Sequence, residues 1–161
     1  MSGTRKPSGL RLILFMGALV AAGMLIPSRF AVSITPSTEH RIFFLKKGPS
    51  TGELKEGAYV MLDIRSKYVD HGTPHLVIKR IACAGEEELD TVGHEFYCDG
   101  REIAVAKDLS LKGEELPRFH YSGKIPSDSV FVTGQHRDSF DSRYFGFVRK
   151  TEVKAVAYPL L

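Results

Sequence analysis

A chain of 161 residues with 43% hydrophobic and 25% charged residues has the length and make-up of one globular domain with a real core. Its formal net charge is only +3, and its basic residues are scattered beyond a short N-terminal cluster, which excludes a basic, aromatic-laced nucleic-acid surface. Two cysteines, Cys83 and Cys98, with no CxxC pair, argue against a zinc site.

Residues 1–9 are polar and basic, with Arg5 and Lys6. Leu10 to Ile26 is almost wholly apolar, interrupted only by Arg11, and Pro27 closes it. At ~1.5 Å per residue the run would span about 26 Å as a helix, close to the hydrocarbon thickness of a bilayer. The pattern predicts one transmembrane helix over residues 10–27, with 1–9 cytoplasmic and 28–161 exported, in the periplasm of a Gram-negative cell. The small residues of Ala31-Val32-Ser33 keep a cleaved signal peptide open as the alternative.

Pro36 restrains Thr35 to an extended conformation. Strands are then expected at Ile42–Leu45, Gly57–Ile64 and Leu76–Cys83, separated by a polar loop over 46–55 and a loop with Gly72 and Pro74. Glu95–Cys98 and Arg101–Val105 flank Asp99-Gly100, a strong two-residue hairpin signal. Residues 107–123 read as irregular, and further strands are expected at Ser129–Thr133, Phe145–Val148 and Val153–Tyr158. No convincing amphipathic helix follows the anchor. The fold class is therefore mainly β, a small barrel or sandwich carrying one N-terminal transmembrane helix.

Lys79 interrupts the apolar strand Leu76–Cys83 and shares a face with Val77 and Ile81. Such an amine must snorkel, find an anion or give up its proton. Lowering a lysine from about 10.4 to about 7.5 costs roughly 4 kcal/mol, a cost that a neutral general base would justify. A snorkelling lysine at a sheet edge is the alternative. In an oxidising compartment Cys83 and Cys98 are expected to pair, closing a loop of about 15 residues worth roughly 3 kcal/mol. Two buried free thiols are the other reading.

Three segments gain meaning together: Thr35-Pro36-Ser37, Lys79-Arg80-Ile81 with Gly85, and Ser139-Phe140-Asp141-Ser142-Arg143-Tyr144-Phe145-Gly146. The chain here resembles the type I signal peptidases, which use a Ser-Lys dyad. The second segment looks like their lysine box and the third like their S-x-D-S-R-x-x-G box. The Thr-Pro-Ser segment, short chain and single anchor are most similar to the conjugative-transfer TraF branch, whose members process pilin precursors and in some cases cyclise them.

The resemblance implies a membrane-anchored serine endopeptidase with Ser37 as nucleophile and Lys79 as base, and no cofactor or metal. Thr35 would help form the oxyanion hole, a donor worth about 3 kcal/mol. Ser33, in Ser33-Ile34-Thr35-Pro36, is the competing nucleophile, but Ala31 supplies no hydroxyl two positions before it. Ser139 would orient the lysine, while Asp141 and Arg143 would brace the site. Expected partners are a membrane-inserted precursor, by resemblance a pilin, and the bilayer. Gly134-Gln135-His136 departs from the family's Gly-Asp-Asn, and Thr38 follows Ser37 where a proline is usual. His71 and His75 are a poor metal pair, because Gly72 and Pro74 break any helix between them. Competing functions are a general leader peptidase, a non-catalytic anchored scaffold of pilus assembly, and an exported binding module released near Ser33.

Overall fold

The structure, a computed structural model, describes residues 11, 13–17, 20–21, 29–33, 38–69 and 72–160. Among them β-branched and aromatic runs bounded by glycine turns give eleven short strands in two antiparallel sheets. The larger sheet contains β1 (Phe30–Val32), β2 (Ile42–Lys47), β3 (Tyr59–Ile64) and β4 (His75–Ala84). A four-stranded sheet follows, built from β5 (Glu88–Val92), β6 (Glu95–Cys98), β7 (Arg101–Val105) and β8 (Ser122–Lys124). The chain then returns to the larger sheet as β9 (Ser129–Thr133), β10 (Val148–Arg149) and β11 (Ala155–Pro159). The orders are β1-β2-β11-β3-β4-β9-β10 and β7-β6-β5-β8.

Both faces of the central strands are covered. Val60 and Leu62 of β3 and Ile81 of β4 join Val130, Val132 and Val156 in one core cluster. Tyr59 and Ile78 turn to the opposite side, with Phe43, Ala155 and Ala157. Strand alternation produces this split, so Lys79 lies among buried side chains in the middle of a sheet rather than at a solvent face. A register shift between Ile81 and Cys83 then lets Ala82 and Cys83 reach a third cluster with Leu89, Phe96 and Phe131. The Cys83–Cys98 disulfide forms, with a Cα separation of 5.7 Å, and ties the Lys79 strand to the second sheet.

The Asp99-Gly100 hairpin is present, with φ of 47° and 76° at its two turn residues. One expected strand needs correction. Phe145 closes a short helix, Ser142–Phe145, capped by the Asp141 side chain, and only Val148–Arg149 is strand. The capping aspartate and Gly146 at φ 82° end the extended run that the apolar residues suggested. Three strands had no sequence signal. β5 carries one buried residue among acids and a threonine, β8 is Ser-Gly-Lys, and β1 is three residues long. Residues 11, 13–17, 20 and 21 are helical, and the rest of the expected 10–27 anchor lies outside the described residues. No helix among the described residues is long and apolar enough to cross a membrane.

Candidate active site

Lys79 is 3% exposed, and its Nζ donates to Ser139 Oγ at 2.6 Å. Two independent elements meet here. β4 holds the lysine through pairing of Val60 with Lys79, and the loop after β9 brings in the serine, itself 5% exposed. Burial pushes the Lys79 amine below the ordinary lysine value of 10.5. The Asp141 carboxylate pulls it back up and the Arg143 guanidinium pushes it further down, and burial prevails. The reason is that Asp141 is already neutralised. Arg143 Nε donates to Asp141 Oδ1 and Arg143 Nη2 to Asp141 Oδ2, each at 2.8 Å, in a bidentate pair.

The same pair holds the loop in shape. The Gly134 N–H donates to Asp141 Oδ2 at 2.7 Å, and Arg143 Nη2 donates to the Ser139 carbonyl at 2.8 Å. Arg143 Nη1 reaches across to the Val105 carbonyl of β7 at 2.8 Å. Ser142 Oγ accepts from the Val132 N–H at 3.0 Å, fixing the end of β9 from which the loop departs. Asp141 is fully buried and Arg143 nearly so, and every buried polar side-chain atom among the described residues has a partner.

Gly134 makes the site possible. A Cβ there would stand 2.0 Å from Ser139 Oγ and 3.3 Å from Lys79 Nζ, so any side chain would displace the serine. Sequence reading treated Gly134-Gln135-His136 only as a departure from a pattern, and nothing in composition or spacing marks the glycine as a wall. Gln135 was missed in the same way. Its Oε1 accepts from the Glu39 N–H, across 96 positions of sequence.

Thr35 and Ser37 lie outside the described residues. The chain just beyond them is tied down, because Thr38 is 7% exposed and its Oγ1 donates to the His40 carbonyl at 2.8 Å. Thr38 Oγ1 also lies 3.3 Å from Ser33 Oγ, and the Ser33 N–H donates to the Arg41 carbonyl at 2.8 Å. The structure thus brings together Lys79, Ser139, Asp141 and Arg143, and it tethers Glu39 beside Gly134. His71 is outside the described residues. Cys83, Glu87 and Cys98 come within 4.8 Å of one another, but the disulfide consumes both thiolates that a metal would need.

Chemically, a shielded amine held by a hydroxyl is a base. A neutral amine that donates one N–H to Ser139 keeps its lone pair free for a proton from another alcohol. On the open side of this amine the sheet is incomplete. β4 pairs with β9 only from Arg80 onward, so Leu76–Ile78 has no strand on that side among the described residues.

A family model described as signal peptidase, peptidase S26, matches residues 8–160. Among solved structures the chain is similar to the crystal structure of a signal peptidase I from Enterococcus faecalis V583. The two share 21% identity over 63% of this chain and 94% of that chain, with a TM-score of 0.40. No curated protein matches the chain.

Proposed function

The chain belongs to the peptidase S26 signal peptidase family, and on that footing we propose that it is a membrane-anchored serine endopeptidase working through Ser37 and Lys79. The observation that carries the dyad is the Lys79 amine, buried, lowered by that burial and held at 2.6 Å by Ser139. In this reading Ser37 Oγ attacks the scissile carbonyl while Lys79 Nζ takes its proton. The resulting ammonium hands that proton to the leaving amine, and an acyl ester remains on Ser37. Lys79, neutral again, takes a proton from the incoming water as it attacks the ester, and returns that proton to the departing Ser37 Oγ. If the N-terminal amine of the acylated chain itself attacked in place of water, the new peptide bond would close that chain into a ring. Thr35 Oγ1 and the Ser37 N–H would stabilise the oxyanion, and Ser139, Asp141 and Arg143 would keep the lysine aimed.

The substrate is a preprotein, and by resemblance to the TraF branch we assign a conjugative pilin precursor, inserted in the inner membrane and cut on its periplasmic side. Extended polypeptide can pair with the open Leu76–Ile78 edge of β4, which delivers its carbonyl beside Lys79. Precursor processing by purified Lys79→Met tests the proposal. Loss of cleavage with the fold retained is expected, and full activity would end the dyad mechanism.

A further inference from the structure

We propose that Arg80 and Arg137 form an acid-accepting subsite that binds a carboxylate side chain of the substrate just past the scissile bond. The inference rests on the peptidase reading above and extends it to specificity. Among the described residues β4 has a free edge only as far as Ile78 and Lys79, because Thr133 of β9 pairs with Arg80. A substrate strand on that edge must therefore leave the sheet at Lys79. A cavity of about 710 Å3 opens there, walled by Thr133, Gly134, Gln135, Arg80 and Arg137. Gly134 is shared between this cavity and the catalytic pair, since it also abuts Ser139 and Lys79.

The charge in the cavity is positive and uncommitted. Arg143 contributes to the wall, but its guanidinium is spent on Asp141. Arg80 and Arg137 are exposed, and neither makes a side-chain hydrogen bond or a salt bridge with a described residue. Neither joins the neighbouring ion pairs, although the Arg137 charge helps to hold Asp138 ionised through space. Asp138 is bound by Lys107, and Glu56 is bound by Arg101. Glu39 is the one carboxylate among the described residues on the cavity wall, so the two guanidinium groups outnumber it. Forked donors of this kind match a carboxylate. Ahead of Lys79 the β4 edge carries exposed Leu76 and core-packed Val77 and no charge, which suits an uncharged segment. Substrate polarity is thereby divided at the bond to be cut.

The test uses the full-length enzyme in detergent and a precursor series with Glu, Gln or Lys at each of the first three positions after the cleavage site. The wild type should prefer Glu over Lys at one of these positions by about tenfold in kcat/KM, the scale of two solvent-facing charge contacts plus repulsion of the wrong sign. The preference should shrink towards unity at high salt. R80Q/R137Q should abolish it, and R80E/R137E should invert it. These are ratios within one variant, so a partial loss of folded protein does not affect them. No preference in the wild type, or one that survives charge reversal, overturns the subsite while leaving the peptidase assignment intact. Failure of the wild type to cut any member of the series overturns that assignment and the subsite with it.

Discussion

The Gly134 N–H donates to Asp141 Oδ2 at 2.7 Å, and this single bond fixes the floor on which Ser139 approaches Lys79. The chain of hydrogen bonds runs from the Gly134 backbone to the Asp141 carboxylate, through the Arg143 guanidinium to the Ser139 carbonyl, and from the Ser139 hydroxyl to the Lys79 amine. Its four side chains, Asp141, Arg143, Ser139 and Lys79, are all buried, which leaves little slack for a change in volume.

Gly134→Ala is the sharpest probe of that floor. The added methyl would stand 2.0 Å from Ser139 Oγ, well inside any allowed contact, so the serine must move. A shift of about 1 Å at a positioning group costs about 100-fold in rate. We expect kcat to fall by that order with KM little changed, and overpacking of about 1–3 kcal/mol to lower the melting temperature by several degrees. Gly134→Ala retaining more than half of wild-type kcat would show that Ser139 does not need its observed position.

Lys79→Met should abolish cleavage and yet stabilise the protein at neutral pH. Burial lowers the folded-state value of Lys79 below 10.5. Between that lowered value and 10.5 the unfolded chain holds a proton that the folded chain lacks, so stability rises with pH across the window. Below the lowered value the cost of the buried cation is fully present. Methionine removes this cost, less the lost hydrogen bond to Ser139, for a net gain of about 1–2 kcal/mol. Denaturant melts of both proteins from pH 6 to pH 10.5 should show the gap closing as pH rises. A gap that is absent at pH 6, or that widens with pH, would mean the amine is not held against its charge.

How much of this was legible beforehand follows from where the signals live. Lys79 stood out because one charge interrupts an apolar strand, and Ser139, Asp141 and Arg143 because they share a short box. The Asp99-Gly100 hairpin was visible in two residues whose backbone needs positive φ. Gly134 and Gln135 were not legible, since their roles depend on Ser139 and Glu39, which reach them only through the fold. β5 and β8 escaped for a similar reason. Their side chains are mostly polar and half-exposed, and they are strands because β6 and β5 supply pairing partners. The Ser142–Phe145 turn of helix was hidden by aromatic residues that elsewhere in this chain make strands.

Asp141 controls both stability and the working pH. In Asp141→Asn the Arg143 charge is left buried without its counterion, a loss of about 3–5 kcal/mol. The carboxylate also raises Lys79, so its removal should lower the amine further and move the acid limb of kcat/KM to lower pH. Arg143→Met acts in the opposite sense on the amine, because the guanidinium lowers Lys79, and its acid limb should move up. Rate profiles of both variants against pH, taken at a temperature where each is folded by circular dichroism, decide the matter. Shifts of equal sign in the two variants would show that neither charge acts directly on Lys79.

The disulfide between Cys83 and Cys98 should contribute stability without contributing chemistry. It bridges positions 15 apart and links β4 to β6, so it joins the strand of Lys79 to the second sheet. In the chain-entropy model a closed loop of this size is worth about 3 kcal/mol. For a domain of this length that corresponds to roughly 10 °C in melting temperature. Cys83→Ala/Cys98→Ala should lose about this much. Reductant should lower the wild type similarly and leave the double variant unmoved. Cleavage at 20 °C should persist, because β3 and β9 hold β4 from either side of the bond between Lys79 and Ser139. Loss of cleavage in a still-folded double variant would mean that the second sheet sets the position of the lysine.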